Sequence, residues 1–314
     1  MNALRWTRLG LLDLGVPLGP PWTTSHAMLP VPVVHDDRVR LYFSSCDDQM
    51  RGRPYVVEVD PTDPCHALAP PRGPLLDLGD PGCFDQDGVL ASSVVRTGDE
   101  TLLYYVGFER CTGVRYRLFT GLAVSVDDGV TFVRHADTPV LDRVPGERFF
   151  RCGPEVRRVE GGFRIWYVAG DAWTEVDGKP VPVYDIRTAT SPDGRVWPDS
   201  GERLLTVEAD DEHGFGRPWP ICGCDAELLL VSVRRRSVAS YRIGAAIARN
   251  GGPYERCDEL VGLEPAPTGF DAGAMMYLAT VETAAGVFGF YNGNGFGADG
   301  IGVVRLENPQ DLPR

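Results

Sequence analysis

Seven positions carry most of the chemistry this sequence can offer. Asp85 and Asp87 stand two residues apart in FDQDG, Glu155 follows a proline in RCGPEV, and Asp271 opens DAGAMMYLA. Carboxylates of this kind work in pairs, one as base or nucleophile and one as proton donor, because a displacement needs two groups in opposite protonation states. Arg151 and Arg217 bring planar guanidinium groups whose fork fits a carboxylate or a phosphate. His26, one of five histidines, titrates near neutrality and serves as donor or acceptor. These residues are scattered over some 245 positions, so they form a site only if a repeating fold gathers them.

The sequence contains such a repeat. The runs VRLYFSS (39–45), TLLYYVGFE (101–109), FRIWYVAGD (163–171), ELLLVSVRR (227–235) and VFGFYNGNG (287–295) begin 60–64 residues apart. All are rich in β-branched and aromatic residues and read as buried strands. Each is preceded by a second strand: HAMLPVPVV, DGVLASSVV, RCGPEVRRV, RPWPICG and DAGAMMYLA. Most are followed by a third that ends in a DDG, PDG or NGG turn, a hairpin signature. Five units of three to four strands predict an all-β fold, a five-bladed β-propeller occupying residues 1–314 as a single domain. A two-sheet sandwich would have no reason to keep this period.

In a propeller the innermost strand of each blade lines a central funnel. Aligning the second landmark on its apolar tail places His26, Asp87, Arg151, Arg217 and Asp271 at equivalent points, with His213 competing for the place of Arg217 and Asp85 on the same side as Asp87 if the segment is extended. The alternative for FDQDG is a turn whose carboxylates cap backbone amides, and for Arg151 a packing or ion-pair role. DDG and PDG are read as turns. The ends of the following strands add Asp47, Glu109, Asp171, Arg234, Asn292 and Asn294, the last two in YNGNGFG, where amides and glycines suit hydroxyl recognition. Trp22, Trp173 and Trp219 would stack on a sugar ring or fill blade cores.

Composition narrows the partners. A net charge of −13 repels phosphate backbones and anionic lipid, so neither nucleic acid nor membrane is expected as a partner. Gly 37 and Pro 26 make up about a fifth of the chain and are spread between the apolar runs, as many short turns require. The first twenty residues hold no apolar stretch of signal-peptide length and are broken by Arg8 and Asp13, which points to a cytoplasmic protein with reduced cysteines. The eight cysteines form no CxxC pair and are read as packing residues.

The motifs SHAMLPVPVV, LLDLGDPGCFDQDGVLASSVVR, LLYYVGF, GLAVSVDDGVTF, RIWYVAG, IRTATSPDGRVW and FYNGNGFGADGIGV together resemble bacterial five-bladed propellers called glycosyl-hydrolase-like or "glycosylase". These are similar to glycoside hydrolase families 43, 32 and 130. The resemblance spans essentially the whole chain and implies a base or nucleophile from blade one, an orienting Asp from blade two and a proton donor from blade three. The sequence departs from that set: His26 stands in the blade-one position, and Arg151 stands where the blade-three acid would precede the proline. The resulting expectation is a glycosidase-like enzyme acting on a small glycoside, nucleotide sugar or glycosylated metabolite. Asp87, or Asp85, would be base or nucleophile and Glu155 proton donor, with Asp271 as substitute. His26, Arg151, Arg217, Glu109, Asp171, Trp219, Asn292 and Asn294 would hold the substrate. No cofactor is expected, and although some such propellers carry an axial calcium, His26 and two inward arginines argue against a metal. The alternative is a non-hydrolytic propeller: a phosphorylase, a lyase or cyclase, or a sugar- or anion-binding protein.

Overall fold

The computed structural model describes residues 2–18, 25–238 and 240–313, and among them there is no α-helix, only strands and three short 3-10 turns. Strand β1 (Trp6–Leu11) is followed by a meander of β2 (Ser25–His35), β3 (Arg38–Cys46), β4 (Gly52–Asp60) and β5 (Asp63–Ala67). A second meander comprises β6 (Val89–Thr97), β7 (Glu100–Arg110), β8 (Tyr116–Ser125) and β9 (Val133–Arg134). The third contains β10 (Phe150–Val159), β11 (Gly162–Val176), β12 (Lys179–Ser191) and β13 (Glu202–Leu205). The fourth contains β14 (Glu212–Cys222), β15 (Ala226–Arg235), β16 (Tyr241–Arg249) and β17 (Glu255–Arg256). Finally β18 (Met276–Thr283), β19 (Gly286–Asn292) and β20 (Ile301–Leu306) accept β1 as their fourth strand, Trp6 pairing with Leu306. Hydrogen bonding divides the strands into four sheets, because a short parallel contact between β8 and β10 fuses the second and third meanders.

The first strands of the meanders touch in a ring, β2 against β6, β6 against β10, β10 against β14, β14 against β18 and β18 against β2. Core clusters lie between consecutive meanders: Val31 and Leu75 pack with Ala91 and Tyr105, and Leu102 and Tyr104 pack with Ile165 and Tyr167. Every sheet is thus covered on both faces, which is why the strands read as continuous apolar runs and not as alternating patterns. The DDG and PDG segments are turns. Asp127 accepts from Ser125 Oγ, at 2.7 Å, and from the Thr131 hydroxyl, while Asp193 binds Ser191 in the same way. No helix is long and apolar enough to cross a membrane.

Candidate functional site

The innermost strands are not straight. Each slips by one residue against its partner at nearly the same height: at Leu29–Pro30 in β2, Ser92 in β6, Gly153–Pro154 in β10, Arg217–Pro218 in β14 and Tyr277–Leu278 in β18. Such bulges re-aim side chains and bend the strand. Leu29, Arg217 and Tyr277 adopt positive φ of 55°, 38° and 61°, a costly backbone for residues with a Cβ. Neighbouring strands hold the displaced groups: Leu29 N–H donates to Asn292 Oδ1 at 2.8 Å, Tyr277 N–H to Ser232 Oγ at 2.8 Å, and Ser92 Oγ–H to the Pro154 carbonyl at 2.7 Å.

On the side where the strands begin, the ring surrounds a cavity of about 610 Å³. Its wall includes His26, Asp87 and Arg217 together with Arg110, Arg115 and Arg234, the phenols of Tyr116, Tyr184, Tyr241 and Tyr277, and the rings of Phe108 and Phe296. Asp87 is its sole carboxylate among the described residues. One Asp87 oxygen accepts the Arg110 backbone N–H at 2.8 Å. His26 is half-buried, its Nδ1 lies 2.7 Å from Ser25 Oγ, and burial lowers its pKa, so the imidazole is neutral near pH 7. Arg217 is 4% exposed; Nη2 reaches the Ser92 carbonyl at 3.4 Å, and Nε and Nη1 have no partner among the described residues. Burial pulls its pKa down to about 10, against the attraction of Glu155. Arg234 lies over the Tyr241 ring at 5.1 Å and donates weakly to the Tyr116 hydroxyl. Burial raises the pKa of Tyr184, Tyr241 and Tyr277, which keeps these phenols protonated and available as donors.

Of the residues singled out in the sequence, then, His26, Asp87, Arg217 and Arg234 meet in this cavity. Asp85 does not share the orientation of Asp87, because residues 81–87 form turns and β6 begins at Val89. Its carboxylate is buried on the Tyr105 hydroxyl (3.0 Å) and Arg134 (2.9 Å). Asp271 is likewise buried on the Tyr291 hydroxyl (2.8 Å) and Arg8 (3.0 Å). Arg151 belongs to a third such cluster, in which Glu147 takes Tyr167 at 3.0 Å, Arg151 at 2.8 Å and Arg187 at 2.8 Å. The acid precedes its tyrosine by 20 residues in all three. That spacing was present in the sequence as a structural signal.

Glu155 is separated from the cavity by the bulge before it. It pairs with Arg157 at 2.8 Å and lines a smaller hollow of about 280 Å³ at the far ends of the same strands, where burial raises its pKa. Trp219 is buried between the guanidinium groups of Arg157 and Arg217 and donates to Thr280 at 3.0 Å, so its faces are already covered. Asn292 spends its amide on Ala27, Leu29 and Gly300, bracing the start of β2, and Asn294 braces Gly269, Gly273 and Ala274. Glu109 stands outside the cavity wall, 3.8 Å from Arg117. Asp171 pairs with Arg148, which lowers its pKa, and lines a separate hollow of about 260 Å³. Trp173 packs among Phe149, Phe150 and Tyr116, and Trp22 lies outside the described residues.

The sequence reading missed the tyrosines and the arginines of the β7–β8 connection. The aromatic-rich ends of the strands were the available signal. The donor set does not suit an axial calcium, which takes six to eight oxygen ligands, since the cavity pairs one carboxylate with four arginines. No group of three metal-binding side chains gathers among the described residues. What the arrangement can do is bind a polar molecule against phenols and guanidinium groups, with Asp87 and His26 able to move protons.

No family model matches the chain. The protein Rv1502 of Mycobacterium tuberculosis H37Rv, itself uncharacterized, is 31% identical over 307 residues, 97% of this chain and all of the relative. Among solved structures, a glycoside hydrolase superposes with a TM-score of 0.71 at 17% identity, covering 96% of this chain and 91% of its own. A thermostable family-43 glycoside hydrolase gives 0.67 at 18% identity, covering 93% and 92%. At these identities the likeness establishes the fold: an all-β propeller shared with glycoside hydrolases.

Proposed function

The chain belongs to the family of the mycobacterial protein Rv1502, and from the fold it shares with glycoside hydrolases we propose that it is a glycosidase-like enzyme acting on a small glycoside or glycosylated metabolite. In this reading residues 1–314 are one domain, each four-stranded unit is a blade, and the cavity at the strand beginnings is the central funnel. The closed ring of contacts among the five first strands supports the blade count. The observation that carries the functional reading is the meeting of Asp87 and His26, from different blades, in the wall of a cavity sized for a small ligand.

Two-carboxylate glycosidases divide the work between a nucleophile or base and an acid. Here Asp87 takes the carboxylate's part. His26, held by Ser25, is the proton-transfer partner: its imidazolium, the minority form near pH 7, gives a proton to the departing oxygen, and the neutral ring left behind takes one from the water that cleaves the Asp87 ester. Phenols of Tyr241 and Tyr277 donate to substrate oxygens. The same single carboxylate favours a second reading, a non-hydrolytic funnel, because a phosphorylase, lyase or binding protein needs no second acid.

A panel of aryl glycosides and glycosylated metabolites assayed with wild type, Asp87→Asn and His26→Gln tests the proposal. Loss of a proton-transfer group should lower kcat on the order of 10²–10⁴-fold while melting temperatures hold. Binding of a sugar with no turnover of any panel member would sink hydrolysis and leave the second reading.

A further inference from the structure

The charges of the cavity run against those of the chain. The sequence has 44 acidic and 31 basic residues, and most arginines elsewhere sit on carboxylates, as Arg134 does on Asp85, Arg151 on Glu147 and Arg256 on Glu212, while Arg72, Arg236 and Arg242 donate to backbone carbonyls at the surface. None of the four cavity arginines (Arg110, Arg115, Arg217, Arg234) has a carboxylate within 4.0 Å among the described residues. Arg110 is partly occupied, its Nη2 donating to the carbonyls of Gln49 and Met50. Arg217 is the deepest case: its guanidinium lies over Trp219 with Nε and Nη1 shielded and undonated, and Glu155, beyond 4.0 Å and paired to Arg157, is the carboxylate that attracts it. A buried charge without a partner is destabilising, and a protein with acids in excess leaves one in a cavity wall only where something else neutralises it.

We infer that the ligand of this cavity carries an anionic group, a carboxylate or a phosphate monoester, and that Arg234 receives it with the buried charge of Arg217 behind it. Resting on the proposal that the cavity is the substrate site, this names the substrate class as an acidic sugar derivative. Both residues lie in one meander, Arg234 on β15 opposite Gly214 and Arg217 three residues farther along β14. The Arg234 fork matches the paired oxygens of either anion, and Arg217 adds positive charge without competing for them. Tyr116, Tyr184, Tyr241 and Tyr277 add neutral donors and apolar faces without a competing negative charge. Asp87 supplies the one repulsion, so the acidic group lies toward the arginines and the reacting end toward Asp87.

The test is equilibrium binding by calorimetry of D-glucuronate, glucose 6-phosphate and glucose to wild type, Arg217→Met and Arg234→Met. In wild type at least one anionic sugar should bind about tenfold or more tighter than glucose, and added salt should erode the difference. Arg234→Met should abolish that preference and Arg217→Met should reduce it. Melting temperature is the second readout: removing a buried charge that no carboxylate pairs within 4.0 Å should leave Arg217→Met as stable as wild type or more so. Equal affinity for neutral and anionic sugars, an unchanged preference in Arg234→Met, no binding of either anion at millimolar concentration, or a sharp loss of stability in Arg217→Met would each overturn the inference. Turnover of neutral glycosides without anion preference would remove the acidic subsite and leave the glycosidase reading. Anion binding through Arg234 without turnover of any glycoside would do the reverse.

Discussion

Two sets of charged side chains lie at similar depth in this molecule and have opposite fates. At Asp85, Glu147 and Asp271 a carboxylate is buried, and a tyrosine hydroxyl and at least one arginine meet it at 2.8–3.0 Å. At Arg217 a guanidinium is just as buried and two of its three nitrogens donate to nothing among the described residues. The first arrangement is closed: each carboxylate has a phenol and an arginine at close range and ties strands together. The second is open, and an open buried charge is a request for a ligand. Burial and charge alone do not separate the two classes. Satisfaction does.

The comparison can be broken at several points. The largest effect should come from Glu147→Ala, which leaves Arg151 and Arg187 without their carboxylate. A loss of about 3–5 kcal/mol in urea-unfolding stability is expected, as for other broken buried pairs, with the arginine-rich cavity left in place in the molecules that remain folded. A change below about 1 kcal/mol would show that these clusters are not the architectural set. Next, Tyr291→Phe removes one hydroxyl from Asp271 and should cost about 1 kcal/mol by the same measurement. A silent substitution would mean that Arg8 alone satisfies the carboxylate. The smallest effect concerns His26 and pH. Its folded pKa lies below the ordinary value near 6.5, so the unfolded chain takes up the proton first. Its contribution is present above that value, declines as the pH falls through it, and stops declining below the folded pKa. The melting temperature of wild type should therefore fall more than that of His26→Gln between about pH 7.5 and pH 5.5, and parallel curves would refute the burial assigned to this ring.

The architecture was legible in the sequence because each sheet is covered on both faces, and that demands recurrent apolar strands at a period of 60–64 residues. The site was legible only in part. His26, Asp87 and Arg217 emerge from aligning the repeats, but the alignment treats every innermost strand as regular. Each strand instead carries an extra residue near its start, which reverses the side-chain alternation beyond it and turns Glu155 toward the opposite end of the strands. The i, i+2 argument for Asp85 and Asp87 failed for a related reason, since that segment is turn and not strand. Trp219 and Asn292 have binding-site chemistry and packing-site surroundings, a distinction that composition does not encode. The tyrosines were overlooked because aromatic residues in apolar runs look like core until a bulge exposes them.

The pairing of β1 with β20 joins Trp6 to Leu306, so on the ribosome β1 waits for a partner that lies some 300 residues farther along the chain. At roughly 5–20 residues per second that interval is about 15–60 s, during which Leu9 and Leu11 sit on an unpaired edge. The nascent chain can complete four of its meanders in that time, but not the fifth. Closure is therefore a late and all-or-none event, and any tag or truncation that disturbs residues 6–11 should leave an assembled yet unclosed chain exposed to aggregation and proteolysis.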